Sequence, residues 1–325
     1  MTTSLTPSKT VTGTDRHGRA IRTENLTKRY GRNRGVTELN LDIAEGEFFG
    51  FLGPNGAGKT TTIRLLMNEI HPTSGRANVF GLDCMSDSVK IKRLTGYLPG
   101  EFMLYPGMTG AQTLKYLSSL RGGVDWKHIA GLAERLQLDL SKKFREYSHG
   151  NKQKVGIIQA IMHKPRLLIL DEPSNGLDPL NQHELFNLLR ELRNEGATVF
   201  LSSHIMSEVE STCDRVALIR EGKMVKMGSI GDLADLKCHY LEISFKGKAQ
   251  TDFLRSLEGV DQLEIGETAE GDTVRCIVSQ EILGSVVKHF AQYEILDFVS
   301  HEPSLENIFM DFYGNGKSAT LPEGR

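Results

Sequence analysis

No stretch of this 325-residue chain reaches the about 18 apolar residues that a membrane-crossing helix needs, so none of it is expected to span a bilayer. Its opening, Met1-Thr-Thr-Ser-Leu-Thr-Pro-Ser-Lys, has no apolar core of the kind that directs secretion. Cysteine is sparse: Cys84, Cys213, Cys238 and Cys276 are scattered, and no two form a C-x-x-C pair. That argues against a disulfide framework and suits reduced thiols in a cytoplasmic protein. Charge of one sign is not in excess either, and a net charge of −2 offers no basis for a nucleic-acid surface. What the chain does have is 39% hydrophobic content, enough for one large core and a smaller second domain.

The densest signal is Gly53-Pro54-Asn55-Gly56-Ala57-Gly58-Lys59-Thr60, followed by Thr61 and Thr62. This is a G-x-x-x-x-G-K-[ST] phosphate loop. Its glycines let the backbone turn several N–H groups inward around an anion, and the helix that opens at Lys59 adds the positive end of its dipole. Lys59 would reach the β- and γ-phosphates, and the Thr60 hydroxyl would bind Mg²⁺. The apolar run Phe48-Phe49-Gly50-Phe51-Leu52 supplies the buried strand that should precede such a loop.

A second signal is Arg166-Leu-Leu-Ile-Leu-Asp-Glu172. It reads as a buried parallel strand that delivers two acids at its C-terminal end, where α/β sheets place their ligands. Asp171 would hold Mg²⁺, directly or through water, and Glu172 would act as general base on the attacking water.

Tyr147-Ser148-His149-Gly150-Asn151-Lys152-Gln153 resembles the signature loop of ATP-binding cassette (ABC) ATPases, usually L-S-G-G-Q. Ser148 and Gly150 match it, whereas Tyr147, His149 and Asn151 depart from the commonest form. Ser174-Asn-Gly-Leu-Asp178 looks like that family's D-loop. His204, after the apolar strand Thr198–Ser203, sits where the family has a switch histidine that contacts the γ-phosphate. Tyr30 sits where an aromatic stacks on adenine. The resemblance covers about residues 21–236 and follows the family's order throughout. One position departs from it. The Q-loop glutamine is expected after Gly96-Tyr97-Leu98-Pro99, where this chain has Gly100 followed by Glu101. Either Glu101 substitutes or the metal keeps an extra water.

The resemblance implies an α/β P-loop NTPase: a RecA-like core, an antiparallel β subdomain and a helical subdomain. Residues 1–19 read as a disordered polar tail, 20–236 as the cassette with its helical subdomain at about 103–165, 237–313 as an accessory domain and 314–325 as a polar tail. Leu39–Ile43 alternates as a half-exposed strand, and Glu221-Gly222 is a hairpin turn. Helices are expected at Ala111–Leu120, Trp126–Leu136, Lys152–His163 and Pro179–Glu195. In the accessory domain, the patterns at His239–Phe245, Thr251–Leu257, Gln262–Ile265, Thr273–Val278, Ile282–Phe290 and Ile295–Ser300 give the order βαββαβ, a ferredoxin-like α+β domain. The ending Glu302–Tyr313 resembles that of ATPases serving ABC-2 type export permeases, with a generic amphipathic terminal helix as the alternative.

By this resemblance the chain is the ATPase subunit of a bacterial exporter of drugs, antibiotics or lipids. It would sit at the inner face of the membrane through a separate permease. It implies a head-to-tail homodimer with ATP and Mg²⁺ at the interface. Gly53 to Thr61, Asp171, Glu172, His204 and Tyr30 would act from one subunit, and Ser148, Gly150 and Asp178 would complete the site. The competing readings are an importer ATPase and a soluble ABC ATPase of translation or DNA repair. Translation-type members usually carry two cassettes, and repair-type members insert long coiled coils. This chain has one cassette and no room for such a coil.

Overall fold

A computed structural model describes residues 18–31, 33–231, 238–249, 251–268 and 271–301. The expected N-terminal tail apart from Gly18 and Arg19, the expected domain boundary at 236/237 and the C-terminal ending at 302–325 lie outside the described residues. By contacts the chain divides into two units, Met1–Ser202 with Ile219–Met224, and Ser203–Leu218 with Val225–Arg325.

The first unit holds a parallel sheet built from short apolar strands. Thr95–Leu98, Leu167–Asp171 and Thr198–Ser203 run parallel, with Leu98 opposite Leu170 and Asp171 opposite Ser202. Phe48–Leu52 lies next to Thr198–Ser203, and the ends of the hairpin strands, Ile219–Met224, continue the sheet beyond it. Every residue of Phe48–Leu52 and of Leu167–Asp171 is buried, as strands covered on both faces require. Phe200 stacks on Phe49 with ring centres 6.0 Å apart and meets Phe51 at a tilt with ring centres 5.4 Å apart, joining these strands through their side chains. Each such fully buried side chain contributes roughly 1.5–3 kcal/mol. Glu221 and Gly222, both at positive φ, make the expected hairpin turn, and Gly222 N–H ties it to the Ala57 carbonyl at 2.8 Å.

An antiparallel sheet is centred on Arg19–Tyr30, which pairs with Asn33–Leu39, Asp42–Ala44 and Ser74–Val79. Leu39–Ile43 is not one strand. Glu38 sits at φ 50°, and the Asn40 side chain accepts from Asn25 N–H and donates to Glu38 O, so the chain turns between two strands there. Helices Gly110–Leu120, Trp126–Arg135 and His149–Ile161 form the helical segment. Thr109 and Gln112 make a reciprocal capping box on the first, and Asp125 caps the second. The third starts three residues earlier than its apolar pattern implies, because Ser148 caps it by accepting from Asn151 N–H.

The second unit contains an antiparallel sheet in the order Val260–Glu267, Asp272–Ser279, Cys238–Phe245, Ile295–His301. Helices Asp252–Arg255 and Gln280–Phe290 complete the order βαββαβ. Alternate residues Leu241, Ile243 and Phe245, with Val274, Cys276 and Val278, pack against Leu254, Val286 and Phe290. Among the described residues no helix is long and apolar enough to cross a membrane.

Candidate nucleotide site

The strand Phe48–Leu52 leads directly into the glycine loop, and the loop into helix Lys59–Leu66. Gly58 caps that helix at φ 112°, where a side chain would be strained, and its Cβ would stand 2.8 Å from Val36. Ala57 is buried, and its N–H donates to Pro54 O at 3.1 Å, closing the loop on itself. Gly53 lies against the Ile219 carbonyl, while Asn55, Gly56 and Thr60 are exposed and Thr61 is half-buried. The Lys59 side chain folds back along the loop. Its Nζ donates to Gly53 O at 2.5 Å and to Pro54 O at 3.2 Å, and pairs with Glu172 Oε1 at 3.0 Å.

The acids arrive on the neighbouring strand as the sequence pattern implies. Asp171, 1% exposed, accepts from the Thr60 hydroxyl at 2.7 Å through Oδ2 and from the Ser202 hydroxyl through Oδ1. Ser202 was not among the expected site residues. The signal for it is a polar residue at the C-terminal end of an otherwise apolar strand, directly across the ladder from Asp171. Glu172 follows at φ 51°, its N–H donating to Ser202 O at 3.1 Å, so its side chain leaves the strand on the side of Lys59. Lys59, Thr60, Asp171 and Glu172 are therefore brought together.

Gly100 is also at this place. A Cβ on it would lie 3.2 Å from Asp171 Oδ2, whereas Glu101 is exposed. Beside it the Tyr97 phenol is pushed well above the usual tyrosine range, by burial first and then by Glu69.

Ser148 and Gly150 start helix His149–Ile161 together on one loop. Gly150 approaches the D-loop of its own chain so closely that a Cβ would be 2.4 Å from Gly176 O, and the His149 ring covers Gly176. Asp178 is exposed and caps helix Pro179–Asn194. It accepts from Asn181 N–H at 3.0 Å and from the Asn181 side-chain amide at 2.7 Å, bonds that hold its carboxyl below the usual range. Tyr30 is 43% exposed at the end of its strand, with Lys28 Nζ 5.4 Å from its ring centre. His204 is exposed immediately after Ser203, whose hydroxyl accepts from Ile205 N–H at 3.0 Å and pairs with Glu208 at 2.8 Å.

Comparison with known proteins settles the family. The model of the ABC transporter family matches residues 36–175, and a model described as an AAA domain matches residues 141–210. A bacitracin transport ATP-binding protein of Enterococcus faecalis is 35% identical over 302 residues, covering 91% of this chain and 97% of that relative. The chain belongs to the ABC transporter family. A linearmycin resistance ATP-binding protein of Bacillus subtilis is 32% identical over 305 residues, with 90% of this ABC subunit and 98% of the relative covered. Among solved structures, an ATP-binding subunit of an ABC transporter superposes with a TM-score of 0.61 at 28% identity, over 66% of this subunit and 91% of that chain. The dimeric post-hydrolysis cassette MJ0796, bound to ADP and phosphate, superposes at 0.60 and 23% identity, over 65% and 98%, and shares the fold. This ABC subunit binds and hydrolyses ATP, and ABC ATPases of its kind work with a membrane permease.

Proposed function

We propose that this ABC subunit powers the export of antibiotics or related drugs through an ABC-2 type permease, hydrolysing ATP at a Mg²⁺-dependent site. The observation that carries the site is the convergence of Thr60 Oγ1 on Asp171 Oδ2 at 2.7 Å and of Lys59 Nζ on Glu172 Oε1 at 3.0 Å. A hydroxyl and a carboxylate side by side are the hard oxygen donors Mg²⁺ takes from protein, and phosphate oxygens supply the rest. Bound there, the cation would neutralise charge on the β- and γ-phosphate oxygens.

Gly53 to Thr61 would cradle the phosphates with backbone N–H groups, and Lys59 would exchange the Gly53 and Pro54 carbonyls for phosphate oxygens. Glu172 would take the proton of the attacking water on its carboxylate, with His204 orienting the γ-phosphate. Tyr30 would stack on adenine. Ser148, Gly150 and Asp178 would meet the nucleotide of a second copy. The permease reading is supported by exposed apolar residues around the Q-loop and first helix of the helical segment: Met103 is 94% exposed, Tyr105 55% and Leu120 65%, with Tyr116 edge-on to Tyr105. The βαββαβ order and the antiparallel 2-3-1-4 strand order of the C-terminal unit support a ferredoxin-like accessory domain.

The test is resistance. Expressed with its permease in a susceptible bacterium, the wild-type chain should raise the bacitracin concentration tolerated, and Lys59→Ala should abolish the effect. ATPase activity without any resistance phenotype against a panel of such antibiotics would leave the enzyme standing and sink the export reading.

A further inference from the structure

Gln153 lies on the first turns of helix His149–Ile161, five residues after Ser148, and is 3% exposed. Its side-chain amide donates to two successive carbonyls, Glu172 O at 3.3 Å and Pro173 O at 3.1 Å. Those carbonyls belong to the turn that leaves the strand at Glu172. There the backbone holds φ at 51°, a value L-residues adopt at a cost of about 1 kcal/mol or more. The N–H of Glu172 is anchored to Ser202 O, so the residue is fixed from the strand on one side and from Gln153 on the other. Farther along the turn, Asn175 N–H returns to Glu172 O, and the Gln182 side chain donates to Ser174 O and Leu177 O. The segment from Glu172 to Asp178 is thus tied down at several points, and Gln153 is the tie that comes from the helix carrying Ser148 and Gly150.

We propose that Gln153 is a positioning residue for the Glu172 carboxylate, holding it in register with the helix that starts at the signature loop. The amide spends both its protons on the turn, and a buried amide with two satisfied donors fixes direction as well as distance. Gly150 pressed against Gly176 leaves the start of the same helix no slack against the same turn. A movement of Ser148 and Gly150 is therefore passed to the backbone of Glu172 rather than absorbed between them. This inference rests on Glu172 being the general base.

The experiment compares Gln153→Met, which keeps the volume and loses both donated bonds, with wild type and with Glu172→Gln. Expected are a retained thermal transition, a Kd for ATP within about twofold of wild type, and a kcat lowered on the order of tenfold, the loss of about 1.4 kcal/mol of transition-state stabilisation. In the Glu172→Gln background, Gln153→Met should add no further loss to the residual single-turnover rate. Gln153→Glu adds a pH signature. Protonated, its carboxyl donates one bond to the turn; ionised, it confronts two carbonyl oxygens, so its kcat relative to wild type should fall as pH rises. An unchanged kcat in Gln153→Met overturns the proposal. So does an equal loss of affinity and kcat with a lowered melting transition, or a full additional loss on top of Glu172→Gln. Wild-type turnover by Glu172→Gln alone would instead remove the base assignment.

Discussion

The Lys59 ammonium and the Glu172 carboxylate lie 3.0 Å apart although they are far apart in sequence, one opening a helix and the other leaving a strand at positive φ. Glu172→Gln keeps the shape of that side chain and removes its basicity. ATP binding should persist while turnover falls by roughly 10²–10⁴-fold, and ATP with Mg²⁺ should accumulate a stable dimer. Size-exclusion chromatography that shows only monomer, alongside normal hydrolysis, would refute the role.

Ser148→Arg should abolish hydrolysis without unfolding the chain. Ser148 is exposed, and its structural task is a single capping bond to Asn151 N–H, worth about 1 kcal/mol. Its functional task would lie on the nucleotide of the second copy, where an arginine blocks the γ-phosphate. Mixed with Lys59→Ala protein, it should recover at most one working site per dimer. A wild-type rate from Ser148→Arg alone would end the composite-site reading.

Gly100→Gln should raise basal ATPase activity or weaken its dependence on the permease. The backbone at Gly100 is not in the left-handed region, and the added Cβ meets the Asp171 side chain, tightly only at Oδ2, 3.2 Å away, so a shift of a few tenths of an ångström would relieve it. The new amide would then reach the side of Asp171 that faces the proposed metal site, whereas Glu101 beside it is exposed. ATPase rates across a Mg²⁺ titration, with and without permease, check it; identical curves for variant and wild type count against it.

His163 should make the fold acid-sensitive. Burial, and then the Arg121 charge, push its pKa down to about 4, so the folded chain holds it neutral while the unfolded chain protonates it at about 6.5. The unfolded state therefore binds the extra proton between those values. The contribution of neutral burial is intact above pH 6.5 and is progressively lost as pH falls towards 4. His163→Asn should flatten the pH dependence of the melting temperature across that window. Parallel curves for variant and wild type would exclude this residue as a source.

The phosphate loop and Asp171-Glu172 were legible because their chemistry is written in contiguous residues flanked by apolar runs, and the strands Phe48–Leu52 and Leu167–Asp171 lie where those runs stand. Ser202 and Gln153 were not, since each acts through a partner far away in sequence: Ser202 across a parallel ladder, Gln153 from one buried helix face. Strand Arg19–Tyr30 escaped notice because its bulges against Asn33–Leu39 and Ser74–Val79 break the alternation that marks a strand. Helices Ser88–Leu94 and Met206–Thr212 are two turns each, too short for a periodic pattern.

The left-handed backbone at Glu172 sets heat resistance against turnover. Glycine there would relax a conformation that costs an L-residue about 1 kcal/mol, and asparagine would tolerate it better than glutamate does. A selection for thermal survival alone would accordingly favour replacing the carboxylate proposed as the general base. Engineering this subunit for robustness has to be confined to positions that carry no such opposition.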